Sequence, residues 1–501
     1  MLAFLLLPGL LSAAEPPPER GLGLVEAIRL MLDQDPNLSI EQARLRLSRG
    51  VLLSAQGPFD PILSTSLERS ETDTPQSEIS SRQQRLLTNS VGATKRFRTG
   101  LSIEPELGIT RTADAGADSV NLGTVSLVLR QPLLRGRGRT ANMAPELSAE
   151  REVAASELDL RQTTADRARV VASQYWQARA ALLNLEILRE SERRARELLE
   201  TTRKLIEGDV TPAADLVQVE ANVVAKETAS IGGERLLFEA RQALGREIGL
   251  PPERIAGLPF PSDPFPTVLA SAMPAAADGN RWIAEALQRR ADLNATRERR
   301  SAAEILRKAA DNSLRPQLDV IFNPSYSGLV QGAGAGTFYS PLYRNVPGAS
   351  SSLSFSLSWP TLNSRARGEL AQIDAAREQS ALLEDLLTRQ IGADVPVAVD
   401  AVSRGAQQLE RATEAVRLFE RAVENEEKKL KAGTSTLIDV ISQRDRLTAA
   451  RQTQVSAHLA LSLALIELRF ATGTLLPGEG DAKEVDLARF TTIPFQAGDE
   501  P

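Results

Sequence analysis

The 501-residue chain has no cysteine. That excludes disulfides, zinc–thiolate sites, iron–sulfur clusters and a lipid-modified N-terminal cysteine. It has one histidine, His458, which falls in an apolar-periodic helix and reads as an ordinary helical position. Nucleophile–base pairs are therefore scarce. Net charge is −6, so no global basic field asks for nucleic acid. No apolar run reaches the length of a transmembrane helix. The best candidate, Leu459 to Leu468, is too short and contains Glu467. Any membrane span must then be a barrel. Aromatics make up only 4 %, yet Tyr326, Tyr339, Tyr343, Phe322, Phe338, Phe355 and Trp359 all fall between Pro316 and Pro360. Girdles at a membrane interface cluster in that way. So does a sheet packed on an ordinary core.

The pattern that is present centres on Ser350 to Gly433. Ser352, Ser354, Ser356 and Ser358 alternate with Leu353, Phe355, Leu357 and Trp359, which predicts a strand with one wet and one apolar face. Pro360 stops the ladder. From Asn363 the pattern is helical for about seventy residues, roughly 100 Å of rod. Pro396 lies inside it and should kink or locally break it.

The chain is internally duplicated. Glu26 to Ala55 reads as a helix closed by Pro58 and Pro61. Ile62 to Arg69 alternates weakly, and Glu71 to Gln84 reads as a polar loop. Val91 to Arg111 and Val120 to Arg130 read as strands, and Thr112 to Ser119 as a loop. A long helix runs to Gly208, with a heptad-like stripe at Ala154, Leu158, Ala165, Ala168, Ala172, Tyr175, Leu182 and Leu185. A second spans about Asp215 to Ile248. After a linker the order returns: helix from about Trp282 to Asn312, strands, a long helix to Gly433, and a helix to about Gly473. Leu38 to Pro61 and Leu293 to Pro316 have the same spacing. The strand insert between Pro61 and Pro132 is longer than that between Pro316 and Pro360. The excess reads as an extracellular loop or as extra β structure.

These features divide the chain into 1–14 (signal peptide), 15–256 (first repeat), 257–280 (linker), 281–476 (second repeat) and 477–501 (tail). The signal rests on an apolar start with Ser12 and Ala14 at −3 and −1 of a cleavage site, although no Lys or Arg precedes the run. The mature chain is expected from about Glu15.

Gln131-Pro132-Leu133-Leu134-Arg135-Gly136 resembles the strand-to-helix junction of the TolC-like outer-membrane efflux protein family. Trp359-Pro360-Thr361-Leu362 resembles its second-repeat counterpart. Gly208-Asp209-Val210-Thr211-Pro212 with Asp215, and Ala432-Gly433-Thr434-Ser435 with Asp439, resemble the two helical tips. The resemblance implies a mostly α fold with a membrane β-barrel portion. It implies a homotrimer in the outer membrane, with four strands per protomer in one 12-stranded barrel and duplicated helical hairpins forming a periplasmic tunnel. It also implies a passive, gated exit duct for efflux or type I secretion, served by a periplasmic adaptor and an inner-membrane pump. No catalysis, cofactor, metal or nucleic acid is expected.

The resemblance places the pore gate at Asp439, with Ser442 where the family's best-known member has Asp and Ser435 where it has a latching arginine. Asp215 aligns only to within one position. The implied gate is less acidic and more loosely latched. Asp439 also reads as a carboxylate in the first turn of a helix, serving only the dipole and free N–H groups. Gly208, Val210, Gly433 and Thr434 would dock the adaptor; the glycines also read as helix C-terminal caps. Leu353, Phe355, Leu357 and Trp359 would face lipid. Pro132 and Pro360 mark the strand–helix junctions.

Gly136-Arg137-Gly138-Arg139-Thr140-Ala141 matches a dinucleotide fingerprint, but the following helix is twice too long for a βαβ unit. Arg130, Arg135, Arg137 and Arg139 fit an anionic membrane surface better. Two other readings remain open at this stage: a soluble periplasmic coiled-coil scaffold or adaptor, and an enzyme using carboxylates.

Overall fold

The computed structural model describes residues 21–77, 79–114, 117–207, 214–267, 279–344, 348–476 and 486–494. The expected signal peptide and most of the tail lie outside the described residues. The chain divides into two compact units: residues 1–42, 159–293 and 387–501, and residues 43–158 and 294–386.

The first unit is helical. Helix α1 (Leu24–Gln34) is followed at once by α2 (Pro36–Gln56), whose body belongs to the second unit. The expected single helix breaks at Asp35 because the residue before a proline is pushed out of the helical region. A break at the corresponding place, Arg290, separates α5 (Gly279–Arg289) from α6 (Ala291–Ser313), with Ala291 where the first repeat has Pro36. The long helices are α3 (Ala144–Glu207), α4 (Ala214–Ile248), α7 (Ser364–Lys431) and α8 (Leu437–Ala471). The described helix α7 runs through Pro396 without interruption, so the expected local break is absent there.

Two cores are built on the same plan, the first of them joined by Ile466, Leu475 and Phe490 from later in the chain. Leu24, Ile28, Met31 and Leu38 bury against Ala168, Val171, Ala172, Tyr175 and Trp176 of α3 and Leu244 and Ile248 of α4. Trp282, Ala286 and Leu293 bury against Ile391, Val395 and Val402 of α7 and Leu461, Leu465 and Leu468 of α8. The stripe of small residues lets the long helices approach closely. Arg167 ties the first repeat together. Its guanidinium donates to Asp35 at 2.5 Å and to the Glu247 carbonyl and carboxylate at 2.9 and 3.0 Å.

The first part of the linker is integral to this core rather than loose. Pro261 bridges to Leu22, and Asp263 accepts the N-terminal amide of α1, Leu24 N–H, at 2.7 Å. The buried Tyr175 hydroxyl donates to the Leu22 carbonyl and accepts the Ser262 and Asp263 amides. Burial pushes that phenol above its ordinary value. Phe265 stacks between Trp176 and His458. Burial lowers the pKa of His458, consistent with an imidazole held neutral in a packed position.

The second unit carries a single antiparallel sheet in sequence order: β1 (Ile62–Ser77), β2 (Ser80–Arg96), β3 (Ser102–Asp114), β4 (Val120–Pro132), β5 (Gln317–Gln331) and β6 (Ala349–Ser358). Among the described residues this sheet has six strands, against the four per protomer that the resemblance implied. The stretch read as a polar loop, Glu71 to Gln84, is the upper β1–β2 hairpin. The stretch read as one strand, Val91 to Arg111, is two, because Phe97–Leu101 forms a turn closed by Gly100 at φ 96°. The excess length of the first insert is therefore β structure.

Candidate functional site

The sheet is the first candidate. Side chains of partnered residues share a face, so its register sorts every row. One row runs Ser64, Gly92, Glu106, Ser126, Ser325 and Ser350. The next runs Thr65, Val91, Leu107, Val125, Tyr326 and Ala349. Below them Leu129, Phe322 and Leu353 form another apolar row, and Val320 meets Phe355. One face is thus Ser-, Thr- and Glu-rich, and the other is apolar over its lower half. The predicted lipid-facing residues Leu353, Phe355 and Leu357 lie on this apolar face, exposed by 62 %, 66 % and 66 %. Trp359, just past β6, is equally exposed.

Above the apolar rows that face becomes mixed, with Leu67, Asn89, Ile109 and Gly123 in one row and Arg69, Leu87, Arg111 and Asn121 in the next, and a strap covers part of the sheet. Residues 335–342 fold over β3, β4 and β5. Arg111 holds the strap, donating to the Ala333 and Gly334 carbonyls and to Asn121, with its guanidinium 5.1 Å from the Phe338 ring centre. Gly328 admits the Pro341 carbonyl, which would stand 2.2 Å from a side-chain β-carbon there. Sequence reasoning missed Arg111 and Asn121. An Arg and an Asn at cross-strand positions within an apolar-facing register were the available signal. Tyr339 on this strap and Tyr343 just past it remain exposed.

At the lower end, Pro132 closes β4 and Leu133 N–H donates to the Leu318 carbonyl. Gly136 and Gly138 take positive φ, and Gly136 N–H donates to Asn312. The glycine-rich stretch thus serves a strand-to-helix turn in an antiparallel sheet, not a dinucleotide site. Arg98 grips Glu146, in the first turn of α3, through two bonds of 2.7 and 2.8 Å. That holds the Glu146 carboxyl below its usual range despite its burial. Pro360 follows β6, and Asn363, at φ 45°, hands the chain to α7. Of the arginines expected near headgroups, Arg130 faces Asp319 at 3.9 Å and Arg135 bonds Gln317.

The second candidate is the α7–α8 tip. Gly433 takes φ 74°, and the Thr434 and Gly433 amides close on the Lys429 and Leu430 carbonyls, ending α7 as a glycine cap does. Thr436 and Asp439 form a reciprocal capping box. Bonds from the Thr436 hydroxyl and amide hold the exposed Asp439 carboxyl below its ordinary value. Both its helix-terminus role and its ionised state at neutral pH follow from this geometry. Ser435, where the resemblance implied a latch, bonds Glu426. Ser442 sits in the first turns of α8. On the other tip, Gly208 and Val210 lie outside the described residues, and of Asp215 only the backbone, in the first turn of α4, is described.

Close to the tip, sequence reasoning missed two cross-links. Arg444 of α8 donates to Glu427 of α7 at 2.6 Å and to the Arg194 carbonyl of α3. Lys226 of α4 pairs with Asp445 of α8 at 2.6 Å. Leu198, Val219 and Leu437 pack beneath them.

Residues 282–474 match the family model "Outer membrane efflux protein". The chain is 27 % identical over 336 residues to the pyoverdine export outer membrane protein OpmQ of Pseudomonas putida, covering 65 % of this chain and 66 % of that one. The aligned part thus spans just under two thirds of that relative. The fold resembles the outer membrane protein VceC of Vibrio cholerae, with a TM-score of 0.65 at 17 % identity over 90 % of this chain and 96 % of that one. It also resembles the CmeC outer membrane channel of Campylobacter jejuni, with a TM-score of 0.64 at 13 % identity over 93 % and 90 %. The family match covers residues 282–474, and the chain as a whole has the fold of these solved outer-membrane channels.

Proposed function

We propose that this protein is the outer-membrane duct of a tripartite export system, a gated passive conduit from periplasm to exterior that performs no chemistry itself. The observation that carries the reading is the two-faced sheet. A wall with lipid on one side and water on the other needs this division between Ser64, Glu106 and Ser325 on one face and Val91, Tyr326 and Phe355 on the other. A soluble scaffold has no use for exposed Leu353, Phe355 and Leu357. Three copies would complete the duct. An exposed heptad series on α4, Val217, Val224, Ile231 and Phe238, supplies an unburied helical seam suited to another copy.

The tips would dock a periplasmic adaptor and so couple the duct to an inner-membrane pump. Asp439 from each copy would contribute to an anionic ring favouring cations. Arg444 and the Lys226–Asp445 pair would hold the hairpins shut until the adaptor draws them apart. Planar-bilayer recording of the detergent-purified protein tests the reading, with wild type beside Asp439→Ala. Cation-preferring conductance steps that change in the variant support it. Conductance with unchanged preference removes the Asp439 ring. A protein that stays soluble without detergent and never inserts overturns the duct.

A further inference from the structure

The sheet has two edges, and neither has a ladder partner among the described residues: β1 pairs only with β2, and β6 only with β5. In lipid an unpaired edge is untenable, because its N–H and C=O groups find no water. We infer that β6 of one copy pairs with β1 of the next, so that three copies close an eighteen-stranded barrel rather than a twelve-stranded one. The inference rests on the outer-membrane reading above and deepens it.

Three observations support a second copy as the occupant. First, six is even, so β1 and β6 run in opposite senses, and head-to-tail closure makes every new pair antiparallel, like the existing ones. Second, the faces agree. The row from Ser64 reaches Ser350 through printed partners on every strand. Ile62 starts β1 two residues below Ser64, and Ser358 ends β6 eight below Ser350. Levelling the two lower ends therefore requires a stagger of six residues per copy. An even stagger keeps polar against polar: Ser354 meets Ser66 and Ser356 meets Ser64, while Leu357 meets Leu63 and Leu353 meets Leu67 on the lipid side. Third, the geometry closes. Six residues of about 3.3 Å over six strand steps of about 4.8 Å tilt the strands by about 35°, at the lower end of the usual range for barrels.

The consequence is width. At that tilt eighteen strands enclose a backbone cylinder of about 33 Å, against about 22 Å for twelve. The outer-membrane section would then not be the step that limits cargo size.

The native chain has no cysteine, so engineered pairs report cleanly. Serine-to-cysteine changes on exposed strands are mild. The full-length chain carrying Ser66→Cys and Ser354→Cys is oxidised in outer membranes and run on denaturing gels. The comparison carries Glu104→Cys, on β3, and Ser354→Cys. Wild type is tested separately for a trimer with a lysine-reactive cross-linker. A covalent trimer with the Ser66 pair, and none with the Glu104 pair, is expected. A wild-type trimer with bridging through Glu104 and not Ser66 overturns the inference, since the β1–β2 hairpin then lies outside the wall. A wild-type trimer in which neither pair bridges also overturns it. Absence of a wild-type trimer and of both bridges removes the duct reading itself.

Discussion

Gly249 and Gly473 occupy the same place in the two repeats. Each ends the second helix of its hairpin with positive φ, 89° and 69°. Each also meets the break in its own repeat's opening helix. A β-carbon at Gly249 would lie 2.8 Å from the Gln34 carbonyl oxygen, and one at Gly473 would lie 3.1 Å from the Arg289 carbonyl carbon. Gln34 and Arg289 are the last residues of α1 and α5. The duplication thus extends to the contact that locks each hairpin to its opening helix. Alanine at either site should destabilise by roughly 1–2 kcal/mol from backbone conformation alone. Gly249→Ala should be the worse, because its nearest backbone atom lies closer, 2.8 Å against 3.1 Å. Thermal unfolding of both variants in detergent checks the order.

Arg167 and Asp35 predict a larger effect. Asp35 is 2 % exposed, so removing either partner leaves a buried charge or buried donors. Arg167→Ala or Asp35→Ala should each cost about 3–5 kcal/mol. Replacing both, as Arg167→Met with Asp35→Leu, should restore much of the loss. A denaturant double-mutant cycle measures this; a double-variant loss equal to the sum of the two single losses would show the pair is not coupled.

Asp439 yields a pH prediction. Its carboxyl is held below the ordinary aspartate value by Thr436. The charge, and the capping contribution with it, is fully present above the unfolded-state pKa near 3.9 and is lost only as pH falls through the lower folded value. Cation preference should stay flat from pH 7 to about 5 and disappear only in stronger acid. Reversal potentials across that range check it; titration near pH 6 would point to other groups.

Phe355 and Ser354 are neighbours on opposite faces of β6. Arginine at 355 would meet lipid, at a cost of about 2–4 kcal/mol near the bilayer midplane. Arginine at 354 would meet water and should be tolerated. Yield of heat-stable oligomer in the outer membrane should fall for the first and hold for the second.

Arg444→Leu and Asp445→Asn remove the two cross-links near the tip. Each should raise open probability several-fold in bilayers, and the double variant should raise it further. No change in either would move the latch elsewhere.

The sequence made the helical plan legible because apolar spacing and terminal glycines report burial directly. Gly433 and the Thr436–Asp439 box are capped as their residue types demand. The lower sheet was legible for the same reason: Leu353, Phe355 and Leu357 alternate with serines. The upper β1–β2 hairpin was not. From Glu71 to Gln84 both faces are wet, so period two leaves no trace, and only strand pairing defines it. The break at Asp35 was signalled by Pro36 and overlooked. The cross-links of Arg444 and Lys226 join residues far apart in the chain, and spacing along one helix cannot reveal them.

An antiparallel hairpin returns the chain to the side from which it left. The additional strands between α2 and α3 therefore leave the entry and exit points of the first insert at one end of the sheet, as the two strands of the second insert do. The helical frame is blind to how many hairpins are threaded between its helices, provided they come in pairs. Wall width and frame can then vary separately. Hairpin number becomes a unit of change, open to deletion or grafting between relatives without redesign of a single helix.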